Sequence, residues 1–440
     1  MYEEELPNYK FENLIGRGAE TKVYLATKKD TGEKHAIKII EKHYLKDNKI
    51  KRYLNNEVYI LKSLSHPNIV KYHGVKIGKN YIFLIFEFCN GGTLESCLKN
   101  YQNRHNKPFS QEIVQYLMRK IISAFMYLHS CNIIHRDIKL ENILLVFNNE
   151  EDLKNLNMLK SEVKVIDFGY SRILKKEELA TSVLGNRINM EPHILKKLEK
   201  IENDPNFGYD KSADIWSLGT ITYELLIGCP AFDARNAEEL VQKIEKGNYK
   251  IPHHILLSKE AISFLNGMIR YDEKSRLTIE ELSKQQFLTK DVSKFHNIEL
   301  NKVNGNIDLR ESVFINIKDE KNNINNIWNM YEGAFKISSM EPCDTKDNKQ
   351  FYEPKNIVNI NDTVPDIIGN EIIINDKYDN GKDENKIENV KINKNLDKFL
   401  QNCFEEMNND CLYIEPLLIP IQPSNYFNSA DPIGKFMEEL

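Results

Sequence analysis

The stretch that most constrains this chain is His135-Arg136-Asp137-Ile138-Lys139-Leu140-Glu141-Asn142, set between the apolar runs Ile133-Ile134 and Ile143-Leu144-Leu145-Val146. A fold that needed only a turn here would use Gly, Pro or Asn, and would not concentrate charge between two buried strands. The residue types suit a chemistry. Asp137 can accept a proton from a hydroxyl, Lys139 can sit on a phosphoryl group, and Asn142 offers a neutral oxygen to Mg2+. Downstream, Val163-Lys164-Val165-Ile166 runs into Asp167-Phe168-Gly169, which places a second hard-oxygen ligand at the end of a strand.

Upstream, Tyr9 to Leu14 reads as a strand feeding Ile15-Gly16-Arg17-Gly18-Ala19-Glu20-Thr21-Lys22-Val23, with Ala36-Ile37-Lys38 following. Glycines there let a strand–turn–strand backbone approach phosphates closely. No helix starts at them, so this is not the strand–helix turn that binds dinucleotides. Asn56 to Leu64 has helical spacing and sets Glu57, Leu61 and Leu64 along one face. Glu57 is then either a solvated helix charge or the anion that positions Lys38. His66-Pro67 breaks that helix. Tyr81 to Phe86 is a strongly apolar strand ending at Glu87-Phe88-Cys89-Asn90-Gly91-Gly92. Ser110 to Ser130 reads as an amphipathic helix with Ser110 as its N-cap. Phe147 to Glu162, rich in Asn and Glu, reads as a surface loop without chemistry.

These motifs, in this order, resemble those of the eukaryotic protein kinases of the serine/threonine type, over residues 9–288. The Leu140-Glu141-Asn142 ending looks most like the calcium/calmodulin-dependent, AMP-activated and autophagy-initiating groups. The resemblance implies an α+β, bilobed fold: a small antiparallel β lobe with one key helix, and a larger, mostly helical lobe. It also implies ATP and Mg2+ as cofactors. Lys38, positioned by Glu57, would hold the α- and β-phosphates, Asp137 would orient the substrate hydroxyl with Lys139 beside it, and Asn142 and Asp167 would hold the metal. Ile15, Gly16, Gly18, Val23, Ala36, Glu87, Cys89 and Leu144 would line the nucleotide, Glu87 and Cys89 through their backbones, with Phe86 as gatekeeper. Asp214, in Asp214-Ile215-Trp216, would hold the catalytic loop from below. Lys139 favours Ser/Thr over Tyr substrates, and Glu141 stands where relatives read a substrate Arg. The implied partners are therefore protein substrates with basic residues near the target Ser/Thr. A phosphate on Thr181 or Ser182 would pair with Arg136 and order the segment after Gly169.

The chain also departs from the family. Thr21 replaces the third glycine, and Thr93 stands where many relatives place a ribose-binding acid. Asn186, Asn189 and His193 replace Thr, Tyr and the Glu of Ala-Pro-Glu. His193 cannot supply the anion that Arg276 needs, and Glu191 is the candidate substitute. These departures keep a second reading open, a pseudokinase that binds nucleotide as a scaffold and transfers nothing. Against it, no phosphate- or metal-handling residue is lost.

Charge divides the chain. Residues 291–440 hold 16 basic and 27 acidic side chains, a net −11, which leaves +6 on the rest. No strongly basic block marks a nucleic-acid surface. Seven scattered cysteines suit a reducing compartment, the cytoplasm or alternatively the nucleus. Ile215 to Phe232 is nearly membrane length, but Glu224, Pro230 and the preceding Asp214 make it a buried core helix and no membrane span. Residues 1–8 are expected to form an N-terminal extension without signal-peptide shape. Residues 289–440 are expected to be an acidic, Asn-rich, mostly disordered tail, with 26 Asn in the last 150 residues. The exception is 394–408, where Leu396, Phe399, Leu400, Cys403, Phe404 and Met407 share one helical face. That face would dock on the catalytic domain in cis or bind a partner. No calcium-binding loop pattern follows the domain, so direct Ca2+ sensing is not expected.

Overall fold

In the strand Lys34–Glu41 (β3), burial alternates: His35, Ile37 and Ile39 are buried, with Ala36 and Lys38 between them half-buried. Period-two alternation sends these two sets to opposite faces of a sheet. The sheet is built by Tyr9–Arg17 (β1), Thr21–Lys28 (β2), Tyr72–Ile77 (β4) and Tyr81–Glu87 (β5), paired antiparallel in the order β1-β2-β3-β5-β4. Its outer face carries Ile37, Ile39, Phe83 and Ile85 and is closed by a short helix, Tyr2–Glu5 (α1). The Tyr2 ring packs against Phe11, Tyr24 and Tyr81 at centroid distances of 5.6, 5.4 and 5.0 Å. Glu5 then accepts from the backbone N–H groups of Asn80 (2.9 Å) and Tyr81 (3.3 Å), tying α1 to the β4–β5 turn. The N-terminal extension is thus the lid of an apolar cluster. Against the inner face lies Asn48–Ser63 (α2), which buries Leu54, Ile60 and Leu61.

The computed structural model describes residues 2–18, 20–173, 189–192, 194–195, 210–234, 237–246, 248–252, 255–297, 312–316, 324–325, 327–329 and 413–414. The chain divides into two units, Met1–Met340 with Met407–Phe427, and Glu341–Glu406 with Asn428–Leu440; every described residue belongs to the first. The expected helix at 394–408 lies outside the described residues.

The second lobe is helical because its caps and apolar faces agree. Leu94–His105 (α3) is capped by Thr93, and Gln111–Ser130 (α4) by Ser110, each side chain accepting an N–H from the first turn. The helix Lys211–Ile227 is capped by Asp210 and stopped by Gly228 in the left-handed region, φ +91. It is apolar nearly all round, as befits a helix buried on most sides. Its Trp216 stacks on Phe232 at 5.7 Å. No helix among the described residues is long and apolar enough to cross a membrane. Between the lobes, Ile133–Ile134 (β6), Ile143–Phe147 (β7), Ser161–Val165 (β8) and Arg172–Ile173 (β9) pair as β6–β9 and β7–β8.

One expectation needs correction. The segment Phe147 to Glu162 is not simply a loop: Asn149 caps a short helix, Glu150–Asn155, by accepting from Asp152 N at 2.8 Å, and Met158 is buried. Within the tail expected to be mostly disordered, a few described residues pack on the second lobe. Ser312–Asn316 (β11) pairs antiparallel with Asn248–Pro252 (β10), Ile315 and Ile327 are buried, and Lys259 Nζ donates to Asn325 Oδ1 at 2.6 Å. The short run Ser-Val-Phe-Ile-Asn has strand character that the Asn-rich composition around it conceals. Further on, Tyr413–Ile414 (β12) pairs with β4 at the sheet edge.

Candidate active site

Asp214, fully buried in the helix Lys211–Ile227, organises the catalytic loop. Its carboxylate accepts the backbone N–H of His135 (3.0 Å) and Arg136 (3.1 Å) and bonds His129 Nε2 (2.9 Å). Burial would raise the Asp214 pKa, but the bond and charge of His129 and the N–H of His135 outweigh it and hold it below the usual range. Pinned this way, Arg136 sits in the left-handed region at φ +68, which a non-glycine residue adopts only under such constraint. The sequence anticipated Asp214 in this position but not His129. The turn is closed from above by His135 Nε2, which donates to Ile166 O at 3.1 Å.

Asp137 follows, only 2 % exposed, in a cage of donors. Asn142 Nδ2 donates to its Oδ2 and its backbone O, both at 2.8 Å, and Lys139 Nζ lies 2.9 Å from Oδ2. The Asn142 amide is oriented by these two bonds through its nitrogen, which leaves its oxygen as the ligand atom for a hard cation. On Lys139, burial opposes the charge, yet Asp137 raises the ammonium pKa.

The second cluster comes from three distant segments. Lys38 Nζ, on β3, lies 2.7 and 3.0 Å from the Glu57 carboxylate on α2, and 3.9 Å from Asp167 Oδ1. The solvated-charge reading of Glu57 is excluded, since the residue is buried at 5 % exposure. Burial works against both partners. It pushes Glu57 up, while on Lys38 the attraction of Glu57 and Asp167 prevails and the ammonium pKa is raised. Asp167, also left-handed at φ +64, accepts from Gly169 N at 3.3 Å. Burial would raise it, but Lys38, His135 and Gly169 lower its pKa, keeping a carboxylate ready for a divalent cation. Phe168 beside it is fully buried against His135, centroids 5.1 Å apart. Asn56, next to Glu57 and not singled out from sequence, donates from Nδ2 to Ser171 O and so links α2 to this segment.

Among the nucleotide-side expectations, Gly16, Val23, Ala36 and Leu144 are half-buried and Ile15 is exposed. Gly18 donates its N–H to Thr21 O at 2.8 Å, and a Cβ at Gly18 would come within 2.6 Å of Thr21 Oγ1. The Thr21 backbone carbonyl thus closes the hairpin, and the Thr21 hydroxyl stands over Gly18. Glu87 is fixed by its backbone N–H to Lys71 O (3.0 Å) and by Lys164 on its carboxylate (3.1 Å). Burial pushes the Cys89 thiol up to about 12, so it stays protonated. Thr93 Oγ1 is engaged as the α3 cap, accepting from Ser96 N at 3.1 Å.

A group the sequence did not bring together surrounds Glu141. Glu141, and Glu95 on α3, both act on Glu224 of the buried helix. Burial, with Glu141 and Glu95 adding to it, raises Glu224 to about 7, against the opposing charge of Lys99. Arg136 Nε donates to Tyr170 O. Thr181, Ser182, Asn186 and His193 lie outside the described residues.

The model of the protein kinase domain matches residues 9–288. The chain is 34% identical over 300 residues to Calcium-dependent protein kinase 5 of Plasmodium falciparum (isolate 3D7), covering 68% of this chain and 47% of that protein. It is 31% identical over 283 residues to the Probable cell cycle serine/threonine-protein kinase CDC5 homolog of Encephalitozoon cuniculi (strain GB-M1), covering 64% and 55%. With Calcium-dependent protein kinase 4 of Plasmodium berghei (strain Anka) it shares 30% over 282 residues, covering 64% and 49%. The chain belongs to the protein kinase family, and its β lobe and helical lobe are the two lobes of that fold. It spans about half the length of these relatives.

Proposed function

We propose that this chain is a protein serine/threonine kinase that transfers the γ-phosphoryl of ATP to Ser or Thr hydroxyls of protein substrates. The observation that carries the reading is the joint geometry of Lys38–Glu57–Asp167 and Asp137–Asn142–Lys139. In it, Glu57 holds Lys38 against the α- and β-phosphates, while the glycine hairpin and the half-buried Val23, Ala36 and Leu144 enclose the nucleotide. The Glu87 carbonyl and the Cys89 N–H meet the adenine edge. Asp137 orients the attacking hydroxyl and takes its proton as the oxygen–phosphorus bond forms and the β–γ bridging bond breaks. Lys139 then balances the negative charge beside that carboxylate. The oxygen donors of Asp167 and Asn142 suit Mg2+, which when bound neutralises charge on the β- and γ-phosphate oxygens. Glu141, Glu224 and Glu95 form an acidic recess that selects substrates with an Arg or Lys near the target residue. The scattered, odd-numbered cysteines fit action in the reducing cytoplasm.

Transfer of radiolabelled phosphate from ATP to a basic Ser/Thr peptide tests this reading. Mg2+-dependent labelling of Ser or Thr is the expected result. ATP binding without labelling of any peptide or of the chain itself would establish the scaffold reading instead.

Regulation by the segment after Gly169 is part of the same proposal. A phosphate on Thr181 or Ser182, facing Arg136, would gain one to three charge-assisted bonds. Phosphatase treatment should then lower turnover, with the Thr181→Ala/Ser182→Ala variant matching it. Full activity of that variant would remove the switch.

A further inference from the structure

At the end of the sheet opposite the glycine hairpin, three side chains meet on the outer face: Glu33 from the β2–β3 turn, His35 from β3 and His73 from β4. One ligand atom of each lies within 4.8 Å of the others. The His35 and His73 rings stand edge to face, centroids 4.8 Å apart, with Tyr9 packed edge-on against His35 at 5.6 Å. The backbone is shaped to allow this. Between Tyr72 and Gly74 the β4–β5 register shifts, so that two residues of β4 oppose one of β5, and Gly74 takes φ +145. A bulge of this kind re-aims the side chain it inserts, here His73.

The second observation is independent of the clustering. His35 is 2 % exposed, yet its Nδ1 has no hydrogen-bond partner among the described residues. Its Nε2 lies 3.7 Å from Glu33 Oε2, too far for a hydrogen bond. Buried polar groups in native proteins are satisfied almost without exception, so an imidazole enclosed this completely and bonded so little calls for a partner. Glu33 and His73 are the ligand-bearing side chains grouped with this ring.

We propose that Glu33, His35 and His73 form a binding site for a divalent transition metal of the Zn2+ type. Two imidazoles and one carboxylate, with a remaining position for water, are a donor set that Zn2+ accepts. Mg2+ and Ca2+ prefer all-oxygen ligands, so this site differs in kind from the one offered by Asp167 and Asn142. Tetrahedral Zn2+ needs donors about 3.3 Å apart, so the side chains must close by up to about 1.5 Å. Glu33 is exposed and can make most of that movement. The metal would clamp the β2–β3 turn, β3 and β4 together beside Glu87, the register partner of His35.

The test is a competitive titration of Zn2+ against a chromophoric chelator, using the full chain stripped of metal. Wild type, Glu33→Gln, His73→Asn and the double variant are compared, with melting temperatures measured in chelator and in Zn2+. His35 is left intact because its burial makes substitution a folding risk, whereas Glu33→Gln changes an exposed residue. The expected result is a single site weakened at least tenfold in each single variant and lost in the double. Zn2+ should raise the melting temperature of wild type but not of the double variant, and millimolar Mg2+ should not compete. No Zn2+ binding by wild type, or equal binding by the double variant through the chain's cysteines, would overturn the proposal.

Discussion

Glu191 and Arg276 form a buried ion pair, Oε1 to Nη2 at 2.9 Å, with side chains 3 % and 0 % exposed. Arg276 completes its bonding with the carbonyls of Arg270, Ser212 and Tyr271, and lies over the Trp216 ring at 5.1 Å. The family's Glu for this role belongs at position 193, where this chain has His. The anion has moved two residues and the guanidinium has kept its place. Removing Glu191 would leave a buried charge with no counter-ion, at a cost of about 3–5 kcal/mol. In a domain of this size that corresponds to a fall in melting temperature on the order of 10 °C. Calorimetry of Glu191→Ala measures it, and a shift within a degree of an exposed control such as Glu280→Ala would mean that the pair contributes little.

Glu260 anchors the chain just beyond the short helix Gln286–Thr289. Its side chain, 2 % exposed, accepts from Lys290 Nζ (2.7 Å), His296 N (2.9 Å) and bonds His296 Nδ1 (2.7 Å). Burial would push its pKa up, but these bonds hold it down at about 2. A carboxyl depressed from 4.5 contributes stability that is complete above that value and is lost as pH falls towards 2. The stability difference between wild type and Glu260→Gln in urea should therefore be constant from pH 7 to 5 and shrink below about 4.5. A difference that is flat down to pH 3 would contradict the assigned pKa.

Much of this was legible in the sequence, and for a physical reason. Asp137, Asn142, Asp167, Lys38 and Glu57 must be particular residue types at particular spacings, because proton transfer, hard-cation ligation and phosphate binding tolerate few substitutes. The Glu191–Arg276 pair was legible as a compensation: a buried Arg needs an anion, and one lay two residues away. What could not be read depends on contacts between distant segments. Glu95, Glu141 and Glu224 come from three elements, and nothing local to any of them announces the others. The Tyr2 lid, the Asn149 cap and the β10–β11 pairing were hidden by polar surroundings that suggested loops and tails. The His35 site was hidden too, since a Glu-x-His turn becomes unusual only once His73 is brought to it.

The acidic recess makes a prediction about specificity. Glu224→Gln and Glu141→Gln should each lower kcat/KM for an Arg-containing peptide about tenfold or more, and leave a peptide with Ala at that position nearly unaffected. Glu224 has a pKa near 7 and is faced by Glu141, Glu95 and Lys99. It loses its charge as pH falls below that value, so the preference for Arg should weaken from pH 8 to pH 6 in wild type and stay flat in Glu224→Gln. Equal loss for both peptides would place these residues in the fold and not in substrate selection.

The central claim is that the caged carboxylate of Asp137 carries the chemical step, and single-turnover transfer by Asp137→Asn, with ATP binding measured in parallel, tests it most directly. The substitution keeps the shape and the bond from Asn142 but removes the proton acceptor. Turnover should fall by orders of magnitude, about 10²-fold or more, while ATP affinity stays within a few-fold of wild type. Equal turnover in the two proteins would contradict the assignment.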